Sequence, residues 1–373
     1  MLRDCRSQFL LGLALASVAC GSEPSGGAPA GAGGEGGREV DAQGSTMVGA
    51  GGGSGGAMAE AGPDFGAGGS NGGDLDAALE GSAPPPDGTM TGMDQTPPRP
   101  LMVDRANPQL YTIKFKPSEA DPATVSNDVT QTAQIDTRVT PRGKLVVTLS
   151  GVSNPPGPLG VAAYAAALGF HAFAIAYTNA YNPSGQNDAN IFGNVRLEEF
   201  DGMDHTSAIT VARPDCVEVR VTKALSYLQT KNAAGDWAYY LNADGQVRWS
   251  DVIFIGHSHG ATSAAYFAKI RRIWRAISLS GPRDTNPIVA TWLTMASLTP
   301  IDRYYGFTGT MDPQYPDHLK AMEVMHYVGA VVDVGRASSP YGNSHRLQYA
   351  GDHGDSANCQ QFDAACKYMF GAQ

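Results

Sequence analysis

The chain has 373 residues, a formal net charge of −10, and an apolar share of 42% that is unevenly distributed along it. The acidic balance, with no Lys/Arg cluster to offset it, argues against nucleic acid as a partner. The length is ample for one large domain, and the composition decides which part of the chain can form it.

Residues 1–20 place Arg3 and Arg6 ahead of an apolar run from Phe9 to Ala19. A run this short behind basic residues is the pattern of a secretion signal and is too short to span a bilayer. It ends in Ser17-Val18-Ala19-Cys20-Gly21, which resembles a bacterial lipoprotein signal. In that family cleavage leaves the cysteine as the new N-terminus, carrying the lipid. The resemblance therefore implies Cys20 as the lipidation site and an N-terminal lipid anchor in a membrane. Gly21 carries no acidic retention signal, so the implied location is the outer membrane, periplasmic or at the cell surface. An ordinary signal peptide with an incidental cysteine is the alternative.

From Gly21 to about residue 100 the chain is almost entirely Gly, Ala, Ser, Pro and acidic residues, with Phe65 the only aromatic. Such a stretch buries too little apolar surface to offset the entropy of ordering it, and it reads as a disordered tether. Random-coil scaling gives about 80 residues a typical reach of roughly 50 Å.

Residues 101–373 read as one folded domain. A buried strand is expected over 144–149, then a Gly/Pro-rich turn, an Ala-rich helix over 159–168 and a strand over 171–177. An irregular stretch is expected over 178–213, then a helix over 214–230, a strand over 251–255 and a helix over 260–272. Strands over 273–279 and 303–308, a helix over 316–327 and a last strand over 345–349 complete the series. Strands apolar throughout, separated by helices, indicate an α/β fold with a mostly parallel sheet covered on both faces. Of the five cysteines, Cys216, Cys359 and Cys366 fall in this part. One disulfide is expected, with Cys359–Cys366 the shortest loop to close.

Gly256-His257-Ser258-His259-Gly260 matches G-x-S-x-G, but so do Gly52–Gly56 and Gly68–Gly72 in the tether. Only the match at Ser258 follows a buried strand and opens a helix, the setting of a nucleophile elbow. Side chains at the flanking glycines would collide with the neighbouring strand and helix. The helix N-terminus also favours negative charge developing at the site. Through this strand–GHSHG–helix unit and the element order over about 140–373, the chain resembles the α/β-hydrolase family.

That resemblance implies a nucleophile, acid and base in the chain order Ser, Asp, His. Asp312, in Gly309-Thr-Met-Asp-Pro just beyond the strand 303–308, fits the acid, and Asp284 after the preceding strand is the runner-up. Asp302 precedes its strand and falls at the wrong end of the sheet. His353, in a loop after the last strand, fits the base better than His345, which opens that strand. His318 and His326 fall on an expected helix as surface or core residues, and His257 and His259 as packing or rim. The implied oxyanion donors are the backbone N–H groups of His259 and, after the strand 144–149, of Val152. The family's frequent His-Gly is replaced at this turn by Ser150-Gly151.

His257 with His259, and Asp352 with His353 and Asp355, have a metal-like spacing that the triad explains better. No cofactor or metal is expected. The reading is an esterase-type serine hydrolase acting on a small-molecule or polymeric ester. Segments 178–213 and 281–300 are expected to roof the pocket. Trp292, Leu293, Met295 and Leu298 line an acyl site or form ordinary core. Two alternatives stand beside it: a non-catalytic surface binding lipoprotein that keeps a hydrolase fold, and an anchoring protein whose functional part is the tether.

Overall fold

A computed structural model describes residues 99–373 apart from 153–154 and 182–186. The signal segment, Cys20 and nearly all of the tether lie outside the described residues. Chain order is β1 (Leu110–Phe115), α1 (Pro117–Ala120), β2 (Gln131–Asp136), β3 (Leu145–Leu149), α2 (Leu159–Ala167), β4 (His171–Ala174) and α3 (Ile191–Asp201). Then follow α4 (Val217–Lys231), β5 (Val252–His257), α5 (His259–Ile270), β6 (Arg275–Leu279), β7 (Tyr304–Gly309), α6 (Tyr315–Val324), β8 (Val331–Asp333), β9 (Arg346–Tyr349) and α7 (Asp363–Phe370).

The strands form one sheet in the order β1-β2-β4-β3-β5-β6-β7-β9-β8. β2 is antiparallel to both of its neighbours, and every other pairing is parallel, with Val147 opposite both Phe173 and Phe254. The central strands are apolar throughout because helices cover both faces. Their alternating residues feed two separate cores. Val147, Phe173 and Phe254 pack under α3, α4 and α5, while Val146, Ala172, Ile253 and Ile255 pack under α2 and α7. α5 is buried along its whole length, which its Gly260-Ala-Thr-Ser-Ala-Ala265 run permits.

Two features depart from the sequence expectation. The stretch 178–213 holds the helix α3, whose buried side includes Arg196, Glu198 and Glu199. β1, α1, β2, β8 and α7 are additional elements. Trp292 and Leu293 are buried, with 2% and 0% exposure, and take the second of their two expected roles, ordinary core. Cys359 and Cys366 are bridged, and Cys216 is a buried free thiol. No helix among the described residues is long and apolar enough to cross a membrane.

Candidate active site

β5 delivers its chain into a turn so tight that Ser258 adopts φ +57° and ψ −117°. That region is costly for a residue with a Cβ and persists only where the surroundings enforce it. The enforcement is visible on both sides. A Cβ on Gly256 would stand 2.0 Å from the carbonyl oxygen of Gly260. A Cβ on Gly260 would stand 2.4 Å from the carbonyl oxygen of Leu149, at the end of β3. Ser258 N–H donates to Leu279 O at 2.9 Å, which ties the turn to β6.

Because Gly260 permits contact with the end of β3, the first turn of α5 and the turn after β3 lie side by side. His259 is the first residue of α5, and an amide there has no intrahelical acceptor. In the β3 turn, Tyr177 donates its hydroxyl to Ser150 O at 3.0 Å. Asn179 Nδ2 donates to Ser150 Oγ at 2.9 Å and to Gly151 O at 2.7 Å. Val152 follows at once in this turn.

His353 begins a short helical turn after β9 that Asp352 caps by accepting from His353 N–H at 2.7 Å. Its Nδ1 lies 2.6 Å from Oδ2 of Asp312, just beyond β7. Asp312 is almost fully buried, and its other oxygen accepts from Gln314 N–H at 2.8 Å. An ionised carboxylate only accepts, so the proton is assigned to Nδ1 and Nε2 is left as the basic nitrogen. His318 lies 3.7 Å from the same carboxylate and shares a 2.8 Å hydrogen bond with Thr308. Burial pushes His318 down to about 4, so it is neutral beside Asp312 near neutral pH.

The His353 loop is fastened to the elbow. His257 Nε2–H donates to His353 O at 3.1 Å, and Ser280 Oγ donates to the same carbonyl at 2.6 Å. No hydrogen bond among the described residues joins Ser258 Oγ to His353 Nε2. Such contacts often tighten only once substrate is bound.

The runner-up acid is engaged elsewhere. Asp284 accepts two hydrogen bonds of 3.0 Å from Arg196 and one of 2.9 Å from Trp292 Nε1, and none from a histidine among the described residues. His345 stacks on Tyr305, 3.9 Å between centroids, and burial lowers it. Arg196, Glu199, Tyr177 and Asn179 were absent from the sequence reading although they surround the elbow. The available signal was the three-residue spacing of Arg196 and Glu199, which places them on one face of a helix. Among the described residues no cluster of His, Cys, Asp and Glu could hold a metal ion.

The elbow follows a central parallel strand, and the sheet carries its antiparallel β2 between β1 and β4. Ser258, Asp312 and His353 follow in the chain order that this architecture uses. This is the α/β-hydrolase fold.

No known family model and no curated protein matches the chain. Solved structures with some likeness include a fluorophosphonate-binding serine hydrolase of Staphylococcus aureus, at 14% identity and a TM-score of 0.38, covering 70% of this chain and 98% of that one. Esterase B of Lactobacillus rhamnosis, inhibited by a tributyrin phosphonate, is 10% identical at a TM-score of 0.39 and covers 71% of this chain and 85% of its own. Esterase 2 of Thermogutta terrifontis, phosphorylated by paraoxon, is 15% identical at 0.35, covering 69% and 95%.

Proposed function

We propose that the chain is a serine hydrolase that cleaves an ester-type acyl bond through Ser258, His353 and Asp312. Ser258 Oγ attacks the acyl carbon while His353 Nε2 takes its proton. The protonated imidazole then gives that proton to the departing alkoxide, leaving an acyl-enzyme. Water attacks the acyl-enzyme with its proton going to Nε2, and collapse returns the proton to Ser258 Oγ and releases the acid. Asp312 orients the ring and stabilises the imidazolium without becoming protonated. The amides of His259 and Val152 hold the oxyanion in each tetrahedral intermediate, and such a donor is typically worth about a hundred- to a thousandfold in rate. These steps use no cofactor.

The observation that carries the reading is the 2.6 Å contact between His353 and Asp312, on a loop fastened to the strained Ser258 elbow. A small-molecule or polymeric ester is the substrate class. The same reading takes Cys20 as the lipidated N-terminus of an exported, outer-membrane-anchored protein, periplasmic or at the cell surface, with the Gly-rich stretch as spacer. Palmitate-analogue labelling of cells expressing the full chain, lost in Cys20→Ser, tests the anchor.

A fluorophosphonate probe tests the chemistry: it should add covalently at Ser258 and nowhere in Ser258→Ala. Failure to label a correctly folded chain would favour the non-catalytic binding lipoprotein instead.

A further inference from the structure

The two oxyanion donors assigned above belong to different elements, α5 and the turn after β3. Their separation must be held within about half an ångström for both to meet one oxygen. Behind them runs a continuous buried polar network. His259 Nε2–H donates to Glu199 Oε1 at 2.9 Å. Ser263, one turn further along α5, donates to Glu199 Oε2 at 3.2 Å and accepts from Arg196 Nη1 at 3.0 Å. Arg196 is in turn held by both oxygens of Asp284. On the other side, Tyr177 interacts with Ser263 and Asn179 and donates to Ser150 O, while Asn179 holds Ser150 Oγ and Gly151 O.

We infer that Glu199 and Asn179 are positioning residues for the oxyanion site, Glu199 acting through His259 and Asn179 through Gly151. The inference rests on the acyl-transfer reading and deepens it. Its physical basis is that Arg196, Glu199, Ser263, Asp284 and Asn179 are all buried. Placing a cation and two anions in a core is costly unless their partners are fixed, and packing alone is served as well by apolar residues. Here every one of these charges meets a partner within 3.2 Å. The contacts reach His259, which carries one donor, and Ser150 and Gly151, which precede the other, and behind Asp284 they close on Trp292. Glu199 and Asn179 do not touch the reacting atoms.

The test uses the full chain with a p-nitrophenyl ester and the matching thionoester, whose sulfur is a poor fit for an oxyanion site. Glu199→Gln keeps the shape and one acceptor, and Asn179→Ala removes the turn's donor. Each should lower kcat about ten- to a hundredfold, hold KM within about twofold and narrow the ester-to-thionoester ratio. The unfolding midpoint should stay near that of the wild type. Asn179→Ser reads the same effect if the alanine variant does not fold. Wild-type turnover with kcat and ratio unchanged in the variants overturns the network while leaving the acyl-transfer reading intact. An inactive wild type overturns both.

Discussion

His257 donates from Nε2 to the backbone carbonyl of His353 across 3.1 Å, and the two rings meet edge to face with centroids 4.9 Å apart. The residue before the nucleophile thus holds the loop that carries the base. Burial lowers His257, so the ring is neutral, with its single proton on the nitrogen that donates. His257→Phe keeps the ring contact and removes the N–H. With Ser280 still donating to the same carbonyl, the loss should be about one ordinary hydrogen bond, roughly 1 kcal/mol. That predicts a fall in kcat/KM of about fivefold with little change in thermal midpoint. Steady-state kinetics beside a melting curve would show it. A collapse of the midpoint would mean that His257 serves the core.

Asp312→Asn preserves shape while presenting a donor or a neutral acceptor to His353 Nδ1. The imidazole is then free to place its proton on the wrong nitrogen. The account predicts a loss of about 10⁴ in kcat. Asp284→Asn, at the runner-up position, should cost far less activity, because Asp284 reaches Arg196 and Trp292 and not His353. Comparing the two variants in one assay checks the assignment, and a larger loss from Asp284→Asn would reverse it.

The Arg196–Asp284 pair is almost fully buried on both sides. Removing one partner strands the other, so Arg196→Met should cost about 3–5 kcal/mol in urea denaturation. Changing both, as Arg196→Met with Asp284→Leu, should recover part of that loss, because the uncompensated Asp284 charge is gone. Additive losses in the double variant would show that the pair is not coupled.

His171 opens β4 as a neutral, fully paired ring: its Nε2–H donates to Gly235 O at 2.6 Å, and the Tyr240 hydroxyl donates to Nδ1 at 2.8 Å. Burial pushes it down to about 4, below the ordinary value of 6.5. The unfolded chain therefore binds a proton that the folded chain refuses between those two values. Stability from this residue is complete above about pH 6.5 and is lost as pH falls toward 4, by about 3 kcal/mol. Urea midpoints of the wild type should drop across that window. His171→Gln should start lower and fall less steeply over it. An equal slope in both would assign the acid sensitivity to other groups.

What could be read without coordinates follows from burial. β3, β5, β6 and β7 are apolar runs because both of their faces are covered, and Gly256, Ser258 and Gly260 mark the elbow because their spacing falls between a buried strand and a helix, unlike the same spacing in the tether. β2 leaves no apolar signal because Gln131–Asp136 is largely polar yet buried, and β1, a largely exposed strand at the sheet edge, carries only the alternation of Leu110–Phe115 and no buried apolar run. α3 escaped for a related reason. Its core-facing side carries Arg196, Glu198 and Glu199, which a hydrophobicity pattern reads as solvent-facing. Glu198 is satisfied by the N–H groups of His205, Thr206 and Val211, all supplied by a loop beyond the helix. Such pairing is tertiary and leaves no local signal. Asp312 and His353 could be proposed from their loops, but their 2.6 Å contact is set by how β7 and β9 lie side by side.

The most direct test of the central claim is hydrolysis of a short- to long-chain p-nitrophenyl ester series by the full chain, beside Ser258→Ala. The account predicts wild-type turnover on at least part of the series and a loss of several orders of magnitude in the variant, with an unchanged unfolding midpoint. Equal rates in the two proteins, or no turnover by a folded wild type on any ester, would contradict it.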